Sequence, residues 1–367
     1  MRFQLTRCAA LALILAPASG ILRSAHAGPL EQTSVDQGAT WVVHIDIEAA
    51  LRSVLGKFLI EKSSPDLDKA IAAFKARFAI DPRTDLRGIT LYGTGADEDT
   101  TGVIAGNENI KTFFDSLPRE GMSDYKLEDS GGMHSWITEG KRCYAAVRAH
   151  PGTKSQLAIF SSNKARLEKS LAVIDGSVPT LATAEPSVLT EKARDGAILF
   201  AAAKDMEQSV SKKAKSNVIQ RTREMRVEMG ERATADGADT AEGKREMYVE
   251  GVLTSASAES ALKMKNLSMG ALAVAQSALA SMPETASLAP LMNGFSMETS
   301  GSRLIVNYRR GTDRIMEALK QVAAKIEVTE KGINAGVEIK DKKSDDSDAP
   351  AKDAPAKERK DPKDGGG

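Results

Sequence analysis

A histidine and a carboxylate on one face of a strand can serve as a general base with its orienting acid, or as two ligands of a metal ion. His44 and Asp46 are such a pair, because alternate positions in Trp41-Val42-Val43-His44-Ile45-Asp46 fall on the same side of an extended chain. Two uses are open to them. One is hydrolytic or metal-assisted chemistry. The other is structural, with Asp46 capping a helix that begins at Glu48 and His44 satisfied within a sheet. The matching strand later in the chain, Ile198 to Lys204, carries no such pair.

The remaining candidates are fewer. Asp97, Glu98 and Asp99 offer the hard oxygens that calcium prefers, but without the regular spacing of a calcium loop, and a solvated hairpin tip is the alternative. His134, Trp136, Arg142 and Tyr144 make one aromatic and polar cluster, suited to a ligand pocket or to a packed core with an ion pair. Ser-x-x-Lys recurs at Ser161/Lys164, Ser209/Lys212 and Ser260/Lys263 without companion motifs, and Asp99-Thr100-Thr101-Gly102 has one residue too many for an aspartic protease. Nucleophile elbow, His-Glu-x-x-His, paired Cys-x-x-Cys, phosphate loop and dinucleotide fingerprint are all missing. No catalytic residue, cofactor-binding residue or metal ligand is therefore assigned, and a non-enzymatic role is favoured.

Composition narrows the field further. The 367 residues are 41% hydrophobic and 27% charged, as in globular proteins, and the 4% of aromatics is too little for the stacking platforms that hold unpaired bases. Arg2 and Arg7, the apolar run Ala9 to Ala16 and the small residues ending Ala25-His26-Ala27 read as a secretory signal peptide, too short in its apolar part to span a bilayer, with cleavage between Ala27 and Gly28. Ala16-Pro17-Ala18 is a second small-x-small site. Cleavage at Ala27 leaves 47 basic side chains against 50 acidic ones and Cys143 as the single cysteine, since Cys8 is lost. A net charge near −3 and an exported destination, periplasmic or secreted to the cell surface, argue against nucleic acid. The basic run Lys212, Lys213, Lys215, Arg221, Arg223, Arg226 reads as a solvated helix end leading into an exposed strand.

The elements that would position these residues follow from hydrophobic periodicity. Thr40 to Ile47 predicts a strand, followed by helix from Glu48 and a second helix capped by Ser64 with Pro65 in its first turn. A hairpin (Ile89 to Tyr92, Gly102 to Ala105), a helix from Asn109 to Leu117, strands near Tyr125 to Glu128, Met133 to Thr138, Cys143 to Ala149 and Gln156 to Ser161, and a helix closed by Asp175-Gly176 complete a first half. After Pro179 to Pro186 the order recurs: a strand from Ala197 to Ala203, a helix from Lys204 to Lys215, a hairpin with the tip Glu231 to Lys244, an alanine-rich helix from Ser257 to Ala280, a hairpin from Gly294 to Tyr308 and a last helix capped by Thr312. Two alignments of the halves compete: His134 to Arg148 on Phe295 to Arg309, or Gln156 to Ile174 on Arg303 to Val322. The expected fold is α+β, a duplicated strand-helix-hairpin-helix-hairpin-helix unit with antiparallel sheets and helices on one face. The halves span 28–178 and 194–340, joined by a linker over 179–193. Residues 341–367, with eight acids, seven bases and three prolines, read as a disordered charged tail, either a proline-stiffened spacer or a segment adhering to a cell-surface polymer; for the protein as a whole an envelope protein or such a polymer is the expected partner.

Leu86-Arg87-Gly88-Ile89-Thr90-Leu91-Tyr92-Gly93, then Met133-His134-Ser135-Trp136 and Leu171 to Gly176, resemble exported bacterial proteins of the planctomycete type. That resemblance covers roughly residues 40 to 180. It implies a compartment and a fold, and it brings no activity, cofactor or catalytic residue with it.

Overall fold

The computed structural model describes residues 30–322 apart from 96–98, 116–122, 129–131, 139, 151–152, 154, 207–216, 235–244 and 283–284. The expected signal peptide, the charged tail, Asp97, Glu98 and most of the helix predicted from Lys204 lie outside the described residues.

Twelve strands form one antiparallel sheet in the order β11-β12-β10-β9-β8-β1-β2-β3-β7-β6-β5-β4. The first half supplies β1 (Trp41–Asp46), β2 (Leu86–Gly93), β3 (Thr100–Gly106), β4 (Ser123–Glu128), β5 (Met133–Thr138), β6 (Lys141–Ala149) and β7 (Gln156–Ser161). The second supplies β8 (Ala197–Ala203), β9 (Thr222–Ala233), β10 (Arg245–Ser255), β11 (Phe295–Ser300) and β12 (Arg303–Gly311). The two meet where β1 pairs with β8, from Trp41 opposite Ala203 to Ile45 opposite Leu199. Whether the halves share a sheet is open in the sequence; here β1 and the short, apolar β8 are central strands, each hydrogen-bonded on both sides, and the sheet is continuous across them.

Helices also lie on both faces, not one. β7 shows why, because alternate residues of a strand point opposite ways. Leu157 and Ile159 pack with Leu167, Leu171 and Ile174 of α5 (Lys164–Ile174, the fifth α-helix) on the face that also carries Val42, Tyr92, Phe200 and Ala202. Ala158 and Phe160 pack with Ile80 and with Ile110 and Phe114 of α4 (Asn109–Asp115) on the other face. The first face is sealed further by Leu30, Val35 and Ala39 from the N-terminal segment and by Leu181, Val188 and Leu189 from the 179–193 connection, which is a packed piece of the core. Gly102 shows how closely the second face is fitted, since a Cβ there would come within 2.0 Å of the Phe160 ring.

Local signals set the helix ends. Asp46 accepts from the Ala49 amide at 2.7 Å and starts α1 (Ile47–Arg52), while Ser53 caps α2 (Val54–Phe78) by accepting from the Gly56 amide. The predicted start at Ser64-Pro65 falls inside α2, a continuous helix of 25 residues. α2 ends at Ala79, which is left-handed, and Asp81 then caps the short α3 (Pro82–Asp85). The amide of Val54 donates to Glu231 of β9 at 2.7 Å, so the head of α2 is fixed by a strand of the other half. Asn163, where the sequence offers Ser162 or Asn163, caps α5, and Ser257 caps the alanine-rich helix Ala258–Ser281.

Because β8 is bonded on both sides, proline within it removes a ladder hydrogen bond whichever neighbour that amide faces. Ala201→Pro is expected to lower the unfolding free energy by about 3 kcal/mol or more, read by urea denaturation with the two tryptophans as reporters.

Candidate functional site

His44 and Asp46 do share the first face, and both are buried there. They are engaged separately. His44 Nδ1 is 2.9 Å from the Thr90 hydroxyl on β2, and its ring lies over Gly88, where a Cβ would be 3.1 Å from the imidazole. Asp46 spends an oxygen on the Ala49 amide as the helix cap. Burial pushes His44 down to about 4, so the ring is neutral, and pushes Asp46 up to about 6 despite the Ala49 amide. His44 Nε2 is buried without a hydrogen-bond partner.

The aromatic and polar cluster expected at residues 134–144 is divided by the sheet itself. His134 and Trp136 face α4, with Tyr125 Oη 2.7 Å from His134 Nδ1 and Trp136 against the Phe114 cluster. Arg142 and Tyr144 point to the opposite face, Arg142 toward Asp124 and Ser135 and Tyr144 into the larger core. Cys143 is half-buried across from Trp136. His150 contacts Glu31 through Nε2 and so ties the N-terminal segment to the end of β6. Asp99 is a structural residue, accepting from Thr94 and facing Arg166 Nε at 3.2 Å.

What sequence reasoning missed are two buried ionic clusters on the first face. Around Arg166, Nη1 meets Asp36 at 2.6 Å, Nε reaches the Thr101 hydroxyl at 3.2 Å, and the guanidinium lies 5.3 Å from the centre of the Tyr92 ring. Lys169 adds a second cation at 2.8 Å from Asp36. Burial works to raise the Asp36 carboxyl, but Lys169, the Gly38 amide and Arg166 together hold it below its ordinary value. Thr101 and the Ser170 hydroxyl are 2.9 Å apart, which extends the network into α5.

Around Arg226, Nη2 contacts Glu228, Nη1 meets Glu250 at 3.2 Å and Nε meets Glu191 at 3.3 Å, with the guanidinium 5.6 Å from the centre of the Phe200 ring. Glu228 is 0% exposed and also accepts from Tyr248 Oη at 2.7 Å and from the Arg194 amide at 3.0 Å. Burial and then Glu228 raise the Tyr248 phenol. Arg226, expected in a solvated basic run, is in fact 5% exposed. The signal that could have placed it is the alternation Met225-Arg226-Val227-Glu228, which sets Arg226 and Glu228 side by side on one face.

These contacts hold segments in place. Asp36 belongs to the N-terminal segment, and Glu191 and Arg194 to the connection between the halves. Among the described residues no three His, Cys, Asp or Glu side chains converge where they could hold a metal ion, and no helix is long and apolar enough to cross a membrane. Apolar side chains are exposed on the alanine-rich helix: Leu262, Leu267, Met269 and Val274, the last at 71%.

No protein-family model matches this chain, and no curated protein does. Among solved structures it is similar to crystal form I of TP0453, at 10% identity and a TM-score of 0.39, over 79% of this chain and 96% of the other. Crystal form III of TP0453 is similar at 12% identity and a TM-score of 0.40, over 79% and 97%. Crystal form IV gives 10%, 0.37, 80% and 97%. A likeness at that level carries no argument about activity or partners.

Arg226→Ala strands the Glu228 carboxylate in the core and is expected to cost about 3–5 kcal/mol in chemical denaturation, where a solvated arginine would cost well under 1 kcal/mol. His44 and Asp46 act in opposite directions on acidification. His44, depressed from 6.5, stabilises the fold fully above 6.5 and less as pH falls toward about 4; Asp46, raised from 3.8, penalises the fold above about 6 and is relieved as pH falls. Between pH 7 and pH 4.5, His44→Gln should therefore gain roughly 2–3 kcal/mol relative to the parent chain, and Asp46→Asn should lose roughly 2 kcal/mol, in paired unfolding curves.

Proposed function

We propose that this chain is an exported, non-catalytic binding or assembly scaffold that acts in the periplasm or at the cell surface. The observation that carries this reading is the exposed alanine-rich helix Ala258–Ser281. It has no charged residue after Lys265, yet it leaves Leu267, Met269 and Val274 in solvent. Leu267 and Val274, two turns apart, share one flank of the helix, and an exposed apolar flank marks an interaction surface. The polar side chains that could have supported catalysis are spent on capping and on buried ion pairs, which favours the scaffold over a hydrolase near His44 and Asp46.

The same reading takes the chain as two copies of one α+β unit. Outward from the β1–β8 seam the strands succeed one another as β1-β2-β3-β7-β6 on one side and β8-β9-β10-β12-β11 on the other. A helix follows β7, and a helix over residues 312–322 follows β12. This succession favours the alignment of Gln156 to Ile174 on Arg303 to Val322, with the β4–β5 hairpin as an addition to the first copy. Export rests on the N-terminal residues, and the chain isolated from its host is expected to begin at Gly28.

The test is the size at which the protein migrates in a native extract of its host's envelope. The parent chain is expected in a complex larger than one chain, and the double variant Leu267→Asp/Val274→Asp at the size of one chain. A parent chain that migrates alone, or a purified protein whose substrate turnover is lost with His44→Ala, would sink the reading.

A further inference from the structure

The two faces of the central strands are finished differently. On the first face Val42, Tyr92, Phe200 and Ala202 are sealed, none more than 2% exposed. The opposite face follows from the register, because directly paired residues of antiparallel strands point the same way. There Val43 lies between Leu91 of β2 and Ala201 of β8, and Ala201 lies opposite Val227 of β9. The rows through Trp41 and Ile45 run beside this one, and every position that β2, β1, β8 and β9 contribute to the three rows is apolar. Each side chain among them is only half-buried.

Helices bound this apolar floor. On one side the row through Val43 continues into Phe160 and Ala145, which lie in the cluster of Ile110 and Phe114 from α4. On the other side the row through Trp41 continues into Leu253 and Leu304, where Ala258–Ser281 packs on β10, β11 and β12. Leu304 is fully buried there, whereas Ser296 and Glu298 on the opposite face are exposed. Between these flanks runs α2. Its head is tied to Glu231, which by alternation along β9 shares a face with Val227 and Met229, and Phe74 near its tail packs against Ile80, Ile110 and Phe114 on this same face. A helix of 25 residues is a rod about 37 Å long, so α2 reaches from β9 to the α4 side and the floor is covered in part without being sealed.

From this arrangement we infer that the slot between α2 and the floor of β2, β1, β8 and β9 is a binding site for the methylene chain of a lipid. The floor selects for it. No side chain in the three rows carries a hydroxyl, an amide or a charge, so a polar ligand would give up its water there without replacement. An aliphatic chain instead removes apolar surface from water, at about 25 cal/mol per Å². The helices set the width. A protein helix about 10–12 Å across needs an open sheet face, whereas side chains already half-covered leave room for a chain one methylene thick. Apolar spaces of this kind stay dry and accept apolar molecules. The head group remains outside the rows, so a free fatty acid and a phospholipid both offer the required chain. The site goes beyond the scaffold reading, which rests on the other long helix, and the two stand or fall separately.

The experiment uses Trp41 of the floor as reporter, in the full chain carrying Trp136→Phe so that one tryptophan remains. The probe is dibromostearate, whose bromine atoms quench an indole they touch. Saturable quenching of Trp41 at micromolar concentration is expected, together with a rise in the urea midpoint, since the ligand binds only the folded chain. Ala201→Phe fills the middle of the floor with an apolar side chain and is expected to weaken the quenching by about tenfold or more. Met229→Phe is a second blocking variant, and the urea transition of each shows that it folds. An unquenched Trp41 overturns the inference, as does quenching that the folded blocking variants leave unchanged. Vesicles of dibrominated phosphatidylcholine identify the source of the chain. Quenching by these vesicles that Ala201→Phe weakens assigns a phospholipid tail, and quenching by dibromostearate alone assigns a free fatty acid. A chain that floats with the vesicles while Trp41 stays unquenched meets lipid at its surface, which overturns the slot. A chain that binds no probe yet migrates in a larger complex in the host extract sinks the lipid site and leaves the scaffold reading standing.

Discussion

The pairing of β1 with β8 is the contact on which the rest of the architecture depends. Each of these strands would otherwise be the margin of a half-sheet, with a row of open amides and carbonyls. Joined, they let both faces run without interruption from β4 to β11, so that one apolar layer draws on the N-terminal segment, α5 and the 179–193 connection together. The seam is reinforced at its flanks. Glu231 of β9 receives the first amide of α2, and Asp36 bridges to Thr180, so chain from either side crosses over to the other.

Burying Arg166 and Arg226 is an expensive way to hold peripheral segments, because each guanidinium must give up water. The cost is offset by distributing each charge over several acceptors and by laying it on an aromatic ring, Tyr92 in one case and Phe200 in the other. The two rings stand on strands flanking β1 on either side. Each cluster secures a stretch of chain with little regular structure of its own, which a purely apolar contact would hold with less directional precision.

Much of this was legible where the determinant is local. The bounds of β5, β7 and β8 follow from short strand-forming runs set between turn residues, and Asp46, Asn163 and Ser257 are caps because their side chains reach amides three residues on. The α+β class followed from the same patterns. Ser64-Pro65 misled because a proline tolerated within a long helix carries the same local signature as one that starts a helix. Strand order was not legible, since nothing near β1 encodes that its neighbour, the strand holding Leu199 and Ala203, lies in the other half of the chain. Asp36 was invisible for the same reason: its partners Arg166 and Lys169 are distant in sequence and converge only once α5 has docked.

The seam also has a meaning for how the chain is made. β1 is complete early in synthesis, but its partner on one side is β8, and at ribosomal rates of roughly 5–20 residues per second the intervening chain takes on the order of ten seconds or longer to arrive. For that interval the nascent first half carries an apolar strand with an unsatisfied margin. A cell that produces this protein has to keep that margin from finding the same strand on a neighbouring ribosome, so the period of greatest vulnerability to aggregation falls before the second half exists.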